Sequence, residues 1–284
     1  QRIGFACKYM DPDQTQKKKI LEEIQRPLNT RSTTVQWLNR QTREVAEQRL
    51  WDIMVHNIQS YYNLIEYVGG LPHGLRMVRL GSDVLPVYTQ RDWAYYWQQA
   101  DVIAYAETHF AKVGELARTL DVRLSMHPGQ FTVLASDNAD IVDRSIEEFE
   151  YHTDVIRYMG YGKSFQDFKC NVHISGRNGP AGIKASLKRL SQEARNVITI
   201  ENDENKWGIE HSLELADDLA LVLDVHHHWC REGEYIQPTD DRYKRIVDSW
   251  RGVRPAMHYS YSRDTALPEG FAHDSMLHFP DLLE

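Results

Sequence analysis

Apolar positions along this chain follow two rhythms. Short runs of about 4 to 6 residues, with the length and side-chain content of buried strands, recur at residues 2–7, 77–80, 123–126, 168–172, 196–200, 220–223 and 255–260. Between them, apolar residues return every three or four positions. Leu50, Ile53, Met54, Ile58, Tyr61, Leu64, Ile65 and Val68 mark one face of a helix over residues 44–67, stopped by Gly69-Gly70. The same spacing predicts helices over 100–120, 137–159, 208–218 and 240–250, with a shorter amphipathic segment at 183–190. Asp137 or Asn138 is placed to cap the helix at 137–159. One stretch has neither rhythm. Residues 8–42 are polar and carry Lys17-Lys18-Lys19 and Arg31-Ser32-Thr33-Thr34, which predicts a long loop, either a solvated insertion or a segment leaning over the site.

Strand and helix thus alternate about seven times, the pattern of parallel strands joined by crossover helices. Polar chemistry gathers where the strands stop. Successive strands run into His127-Pro128-Gly129-Gln130, His173-Ile174-Ser175-Gly176, Glu201-Asn202-Asp203-Glu204, Asp224-Val225-His226-His227-His228 and His258-Tyr259-Ser260, and Phe271-Ala272-His273-Asp274 follows near residue 274. An open doubly wound sheet concentrates its site at one switch point, whereas a closed barrel draws residues from many strand ends to one mouth. The chain carries no dinucleotide fingerprint and no Walker loop. The expected fold is therefore α/β, a single-domain TIM-type (β/α) barrel over residues 1–284.

Composition narrows the setting. The chain is 42% hydrophobic and 26% charged, and no apolar run approaches the roughly 20 residues of a membrane span. Residues 2–7 are too short for a secretory core. Cys7, Cys170 and Cys230 form no CxxC pair, which predicts a reducing, intracellular setting and argues against a thiolate zinc site; Cys7 and Cys230 read as core thiols. The net charge of -8 counts against simple electrostatic binding of nucleic acid. Residues 1–60 nevertheless hold 10 basic and 7 acidic residues, against 8 and 18 in residues 201–284. Cations bound in the acidic part would reverse its local sign.

The candidate centre consists of His127, His173, Glu201, Asp224, His227, His258 and His273. Any one of these is ordinarily a hydrogen-bonded barrel-end residue, but seven nitrogen and oxygen donors exceed one tetrahedral site. They suit two or three borderline-to-hard divalent ions. Such a centre serves phosphodiester hydrolysis, with Glu201, Asp224 and His227 as its catalytic residues, and serves sugar isomerisation equally well. Asp203 and Glu204 read as ion-pairing or supporting groups. His226 and His228 are expected to point away. Arg79 would clamp a phosphate or pair with a barrel carboxylate.

Five segments make the pattern more specific. Arg2-Ile3-Gly4-Phe5-Ala6-Cys7, Val78-Arg79-Leu80-Gly81-Ser82-Asp83-Val84-Leu85-Pro86, Ser125-Met126-His127-Pro128-Gly129-Gln130-Phe131, Ile200-Glu201-Asn202-Asp203-Glu204 and Leu223-Asp224-Val225-His226-His227-His228 resemble, in order, the UV damage endonuclease family. The resemblance implies a barrel related to endonuclease IV and a metal-supported cut 5′ of UV photoproducts. The implied ions are Mn²⁺ first, with Zn²⁺, Mg²⁺ or Co²⁺ as alternatives. The implied partner is damaged double-stranded DNA, met by a monomer. His127, His173, Glu201, Asp224, His227, His258 and His273 match the family's metal ligands. Gln130 and Phe131 match a pair that enters the duplex, and Phe5 an aromatic lining the pocket for the extruded dinucleotide. Phe replaces the family's usual Tyr at positions 5 and 131, and Ala256 replaces a frequent lysine. The family's last carboxylate ligand falls beyond residue 284. A metal-dependent sugar isomerase or epimerase and a non-catalytic damage-binding protein stay open beside the nuclease.

Overall fold

The computed structural model describes residues 1–262 and 276–283, with side chains through residue 259. The elements run β1 (Ile3–Ala6), α1 (Lys18–Gln25), α2 (Val35–Leu38), α3 (Arg43–Gly69), β2 (Met77–Arg79), α4 (Ala100–Thr119), β3 (Arg123–Met126), α5 (Ala139–Tyr158), β4 (Lys169–His173), α6 (Gly179–Leu187), α7 (Gln192–Val197), β5 (Ile198–Glu201), α8 (Ile209–Leu213), β6 (Ala220–Val222), α9 (Val225–Glu232), α10 (Asp241–Asp248), β7 (Met257–Ser262) and β8 (Met276–Leu283). From β1 to β6 each strand pairs in parallel with the next. The ring closes where Asp224 bridges His258 in parallel and the His258 amide donates to the Leu223 carbonyl at 3.0 Å. This is the expected TIM-type architecture, with one difference at its end.

β8 runs antiparallel to both β7 and β1, in the sheet order β6-β5-β4-β3-β2-β1-β8-β7. The sequence pattern missed β8 because Pro280 interrupts it, and proline removes a ladder donor. The register is irregular between Tyr259 and Tyr261, beside Pro280, so the missing N–H falls where the regular ladder is already broken.

The segment 8–42 differs from the expected loop, since α1, a 3₁₀ turn at Arg26–Leu28 and α2 lie within it. Thr34 caps α2, and Leu38 is fully buried. Asn57 of α3 explains the ordering. Its side chain accepts from the Arg31 amide at 2.8 Å and donates to the carbonyls of Arg31 and Val84 at 2.9 and 2.8 Å. An amphipathic spacing alone gives no sign of a buried amide that serves two loops. Asn57→Ala strands these groups, each costing on the order of 1–3 kcal/mol when buried and unpaired. The expected loss of about 3 kcal/mol is read from urea unfolding, with faster proteolysis in 8–42.

α3 closes on Gly69, where a Cβ would lie 2.4 Å from Leu120 Cδ1 and so a glycine is needed for close packing. Asn138 caps α5, accepting from the amides of Asp140 and Ile141. The main core lies between helices and strands, with Leu50, Met54 and Ile58 of α3 in the same cluster as Val78, Leu124, Val172, Ile200 and Leu221. A smaller cluster of Met77, Ala220, Val222, Trp250 and Ala256 accompanies it. Cys7, expected in the core, is exposed just after β1; Cys170 is buried and Cys230 half-buried.

Candidate metal centre

Parallel strands deliver their C-terminal residues to one mouth of the barrel, and here that mouth is polar. His127 follows β3, His173 ends β4 and Glu201 ends β5. Asp224 follows β6 as the N-cap of α9, taking the His227 amide at 2.8 Å, so His227 stands in the first helical turn rather than on the strand. His258 comes from β7. The structure brings these six residues together. His273 lies outside the described residues.

Glu201, 1% exposed, is the hub. Its Oε1 is 2.9 Å from His258 Nδ1 and 3.6 Å from His227 Nδ1. Its Oε2 is 3.4 Å from His127 Nε2 and 4.0 Å from His173 Nε2, and accepts from Asn171 Nδ2. Donor atoms of His127, His173 and Glu201 lie within 4.8 Å of one another, as do those of Glu201, Asp224 and His258. The shared carboxylate can bridge two cations, and the all-nitrogen-and-oxygen set fits divalent ions without thiolates.

Electrostatics put several donors in their ligating form. Burial pushes the His173 and His258 imidazoles down, most strongly His258, where Lys169 and Arg79 add positive field. Burial alone would raise the Glu201 carboxyl, but the fields of His258 and His173 and hydrogen bonds from His127 and His258 hold it well below the usual range. Asp224 is pushed up to about 7 by burial and by the Glu201 charge, against the pull of His227. Burial disfavours the His227 cation, yet Asp224, Glu201 and Glu204 together raise it. The result is a carboxylate hub with the His173 and His258 imidazoles biased toward their neutral form and His227 biased toward its cation.

The residues read as DNA contacts occupy the same end. Gln130 and Phe131 are exposed on the turn after His127, Phe131 at 85%. Phe5 is half-buried on β1 and packs on the core. Arg79, half-buried at the end of β2, has an Nε without a hydrogen bond among the described residues.

Other residues were not singled out by the sequence pattern. Lys169, only 2% exposed, places its Nζ 2.9 Å from His258 Nε2. A lysine opening an apolar strand was the available signal, and it brings a cation to the centre from β4 where Ala256 offers none. Asn171 is held by Thr199 Oγ1 at 2.7 Å, forming a buried chain from hydroxyl to amide to Glu201. Asn202 clamps the end of β6. Its Oδ1 accepts from the Asp224 amide at 2.8 Å, its Nδ2 donates to the Asp224 carbonyl at 3.1 Å, and its carbonyl accepts from His227 Nδ1 at 3.0 Å.

Of the two parts expected for Asp203, ion pairing or support, the structure places it in the second: its Oδ1 accepts the amides of Asn205, Lys206 and Trp207 and shapes the loop after β5. His226 lies beside Cys230 Sγ at 3.5 Å, and His228 faces Glu234.

A family model described as UV-endonuclease UvdE matches residues 1–281. The UV-damage endonuclease of Schizosaccharomyces pombe is 27% identical over 296 residues, covering 98% of this chain and 46% of that protein, so the chain spans about half the length of this relative. The UV DNA damage endonuclease of Bacillus velezensis is 27% identical over 233 residues, covering 77% of this chain and 68% of that protein. The crystal structure of SacUVDE has a TM-score of 0.73 at 20% identity, covering 94% of this chain and 83% of that one. That likeness concerns the fold.

Proposed function

The chain belongs to the UV-endonuclease UvdE family, and from this footing we propose that it is a metal-dependent repair endonuclease that cuts damaged double-stranded DNA immediately 5′ of a UV photoproduct. The observation that carries the reading is the buried Glu201 carboxylate ringed by imidazoles at the mouth of the barrel. His127, His173, Glu201, Asp224, His227 and His258 would hold two or three divalent cations, Mn²⁺ first among them and Zn²⁺, Mg²⁺ or Co²⁺ as alternatives, with His273 as a further proposed ligand. Cations held there supply Lewis acidity toward water and toward the oxygens of a phosphodiester.

The chain's own residues do the rest. Glu201 and Asp224 set the negative charge that retains the ions, and Asn171 and Asn202 fix their directions. Lys169 orients His258 through its Nε2. The exposed Phe131, with Gln130 beside it, enters the duplex at the lesion, where a crosslinked dinucleotide is cheaper to unstack than an intact step. Phe5 lines the receiving pocket and Arg79 meets a phosphate. Among the described residues no helix is long and apolar enough to cross a membrane, and the proposed partner is DNA engaged by a monomer.

The test is incision of a duplex carrying one thymine dimer, beside its undamaged twin, with Mn²⁺ or with EDTA. The expected result is a Mn²⁺-dependent cut at the 5′ side of the dimer only; metal-loaded protein that leaves the lesion duplex whole overturns the reading. Phe131→Ala should lower incision of the dimer about 10-fold, since a stacked aromatic contact is worth roughly 1–3 kcal/mol per base. Metal content should stay unchanged, which separates this role from the centre.

A further inference from the structure

One of the six residues at the centre stands outside both donor groups. His227 belongs to neither the His127, His173 and Glu201 group nor the Glu201, Asp224 and His258 group. One of its ring nitrogens is already assigned. His227 Nδ1 lies 3.0 Å from the Asn202 carbonyl, which only accepts, so Nδ1 carries the hydrogen. In the neutral ring the lone pair is therefore on Nε2. A hydrogen bond from the second nitrogen to a backbone carbonyl is the usual way a ligating histidine is held in one tautomer.

What Nε2 faces is Glu204, whose Oε2 lies 3.5 Å away. Both side chains are largely buried, His227 at 7% and Glu204 at 12% exposure. The spacing is informative. A charged N–H donating to a carboxylate ordinarily closes to about 2.7–2.9 Å. Two donors bound to one cation with bonds of about 2.0–2.2 Å sit roughly 3.0–3.5 Å apart at octahedral or tetrahedral angles.

Resting on the metal-dependent reading above, we infer that Glu204 is itself a metal ligand, its Oε2 sharing one divalent cation with His227 Nε2. The loop geometry presents it there. Asp203 gathers the amides of Asn205, Lys206 and Trp207, and the Asp203 amide donates to the Trp207 carbonyl at 3.0 Å, so residue 204 projects from a closed turn rather than a free strand end. Glu204 would therefore complete a cation position distinct from the two donor groups that share Glu201. Its role then goes beyond the ion-pairing or supporting part that its sequence position suggests.

The experiment compares wild type, Glu204→Gln and, as a carboxylate control outside the centre, Glu210→Gln. Each is loaded with Mn²⁺, exchanged into metal-free buffer and assayed for Mn per chain by mass spectrometry, with Mn²⁺ affinity from calorimetry. Glu204→Gln is expected to retain one fewer Mn²⁺, or to bind the weakest one at least about 100-fold less tightly, beyond the 10–100-fold typical of an outer supporting group. Glu210→Gln should match wild type. If Glu204→Gln binds as many ions as tightly as wild type, the inference falls while the nuclease reading stands. If wild type binds no Mn²⁺, both fall. Glu204→Asp provides a second variant should the amide disturb folding, and is expected to keep the ion count with reduced affinity. Nitrogen chemical shifts of His227 in metal-free protein separate the roles: a mere counter-ion shifts the His227 titration in Glu204→Gln and leaves the ion count alone.

Discussion

Glu201→Gln is expected to strip the centre of its cations and reduce incision below detection. The substitution keeps shape and volume, so the barrel is not repacked. What changes is charge and donor polarity at the one group that approaches His127, His173, His227 and His258 together. A carboxylate accepts from Asn171 Nδ2 and from His258 Nδ1 at once. A carboxamide accepts at one end only, so its NH₂ must face one of those two donors. The bridging charge that both donor groups share is also gone. Loss of an outer supporting group typically costs 10–100-fold in metal affinity, so loss of the bridging ligand should exceed about 100-fold. Stability should fall by only about 1–3 kcal/mol, the cost of one mismatched buried donor. Metal analysis, a nicking assay and thermal melting on the same sample check all three. Retained metal with retained incision would remove Glu201 from the centre of the mechanism.

How much of this was legible in the chain differs by residue. The barrel was, because β1 to β6 are short apolar runs separated by helices of clear period, and parallel strands require such crossovers. Convergence of His127, His173, Glu201 and Asp224 was legible for the same reason, since each ends or follows a strand and all strand ends of one sense share a mouth; His258 instead stands near the start of β7, where Asp224 bridges it. The placement of His227 on α9 was not. A run of three histidines after an apolar strand reads as a continuation, and only the cap made by Asp224 shows that a helix has begun. Lys169 and Asn171 point into the barrel from β4, and a strand's two faces cannot be assigned until its neighbours are placed. Glu204 and Asp203 are adjacent carboxylates with opposite duties, one facing His227 and the other shaping a loop. Loop conformation decides which is which, and spacing carries no information about it.

Acid should destabilise the protein through a histidine that lies outside the proposed ligands. His152, on α5, is 1% exposed, with Nδ1 donating to the Glu148 carbonyl at 2.7 Å and Nε2 unpaired among the described residues. Burial pushes its imidazole down to about 4, the Glu148 carbonyl resists this, and His127 adds to the depression. In the unfolded chain an ordinary histidine protonates near 6.5. Between these values the unfolded state binds a proton that the folded state refuses. The stability contribution is thus complete above about pH 6.5 and is lost as pH falls through about 4, by roughly 3 kcal/mol at 1.36 kcal/mol per unit. Other groups titrate in the same window. His173 and His258 are also depressed and lose stability with acid, whereas Asp224, raised to about 7, gains it as pH falls. A difference between two proteins isolates His152 from all of them. His152→Phe keeps a ring and removes the titration, so its stability should fall about 3 kcal/mol less than that of wild type between pH 7 and pH 4. Overpacking by the larger ring shifts both ends of that comparison equally and leaves the difference intact. Urea unfolding at four or five pH values is sufficient, and parallel curves for the two proteins would show that a neutral His152 is not what acid attacks.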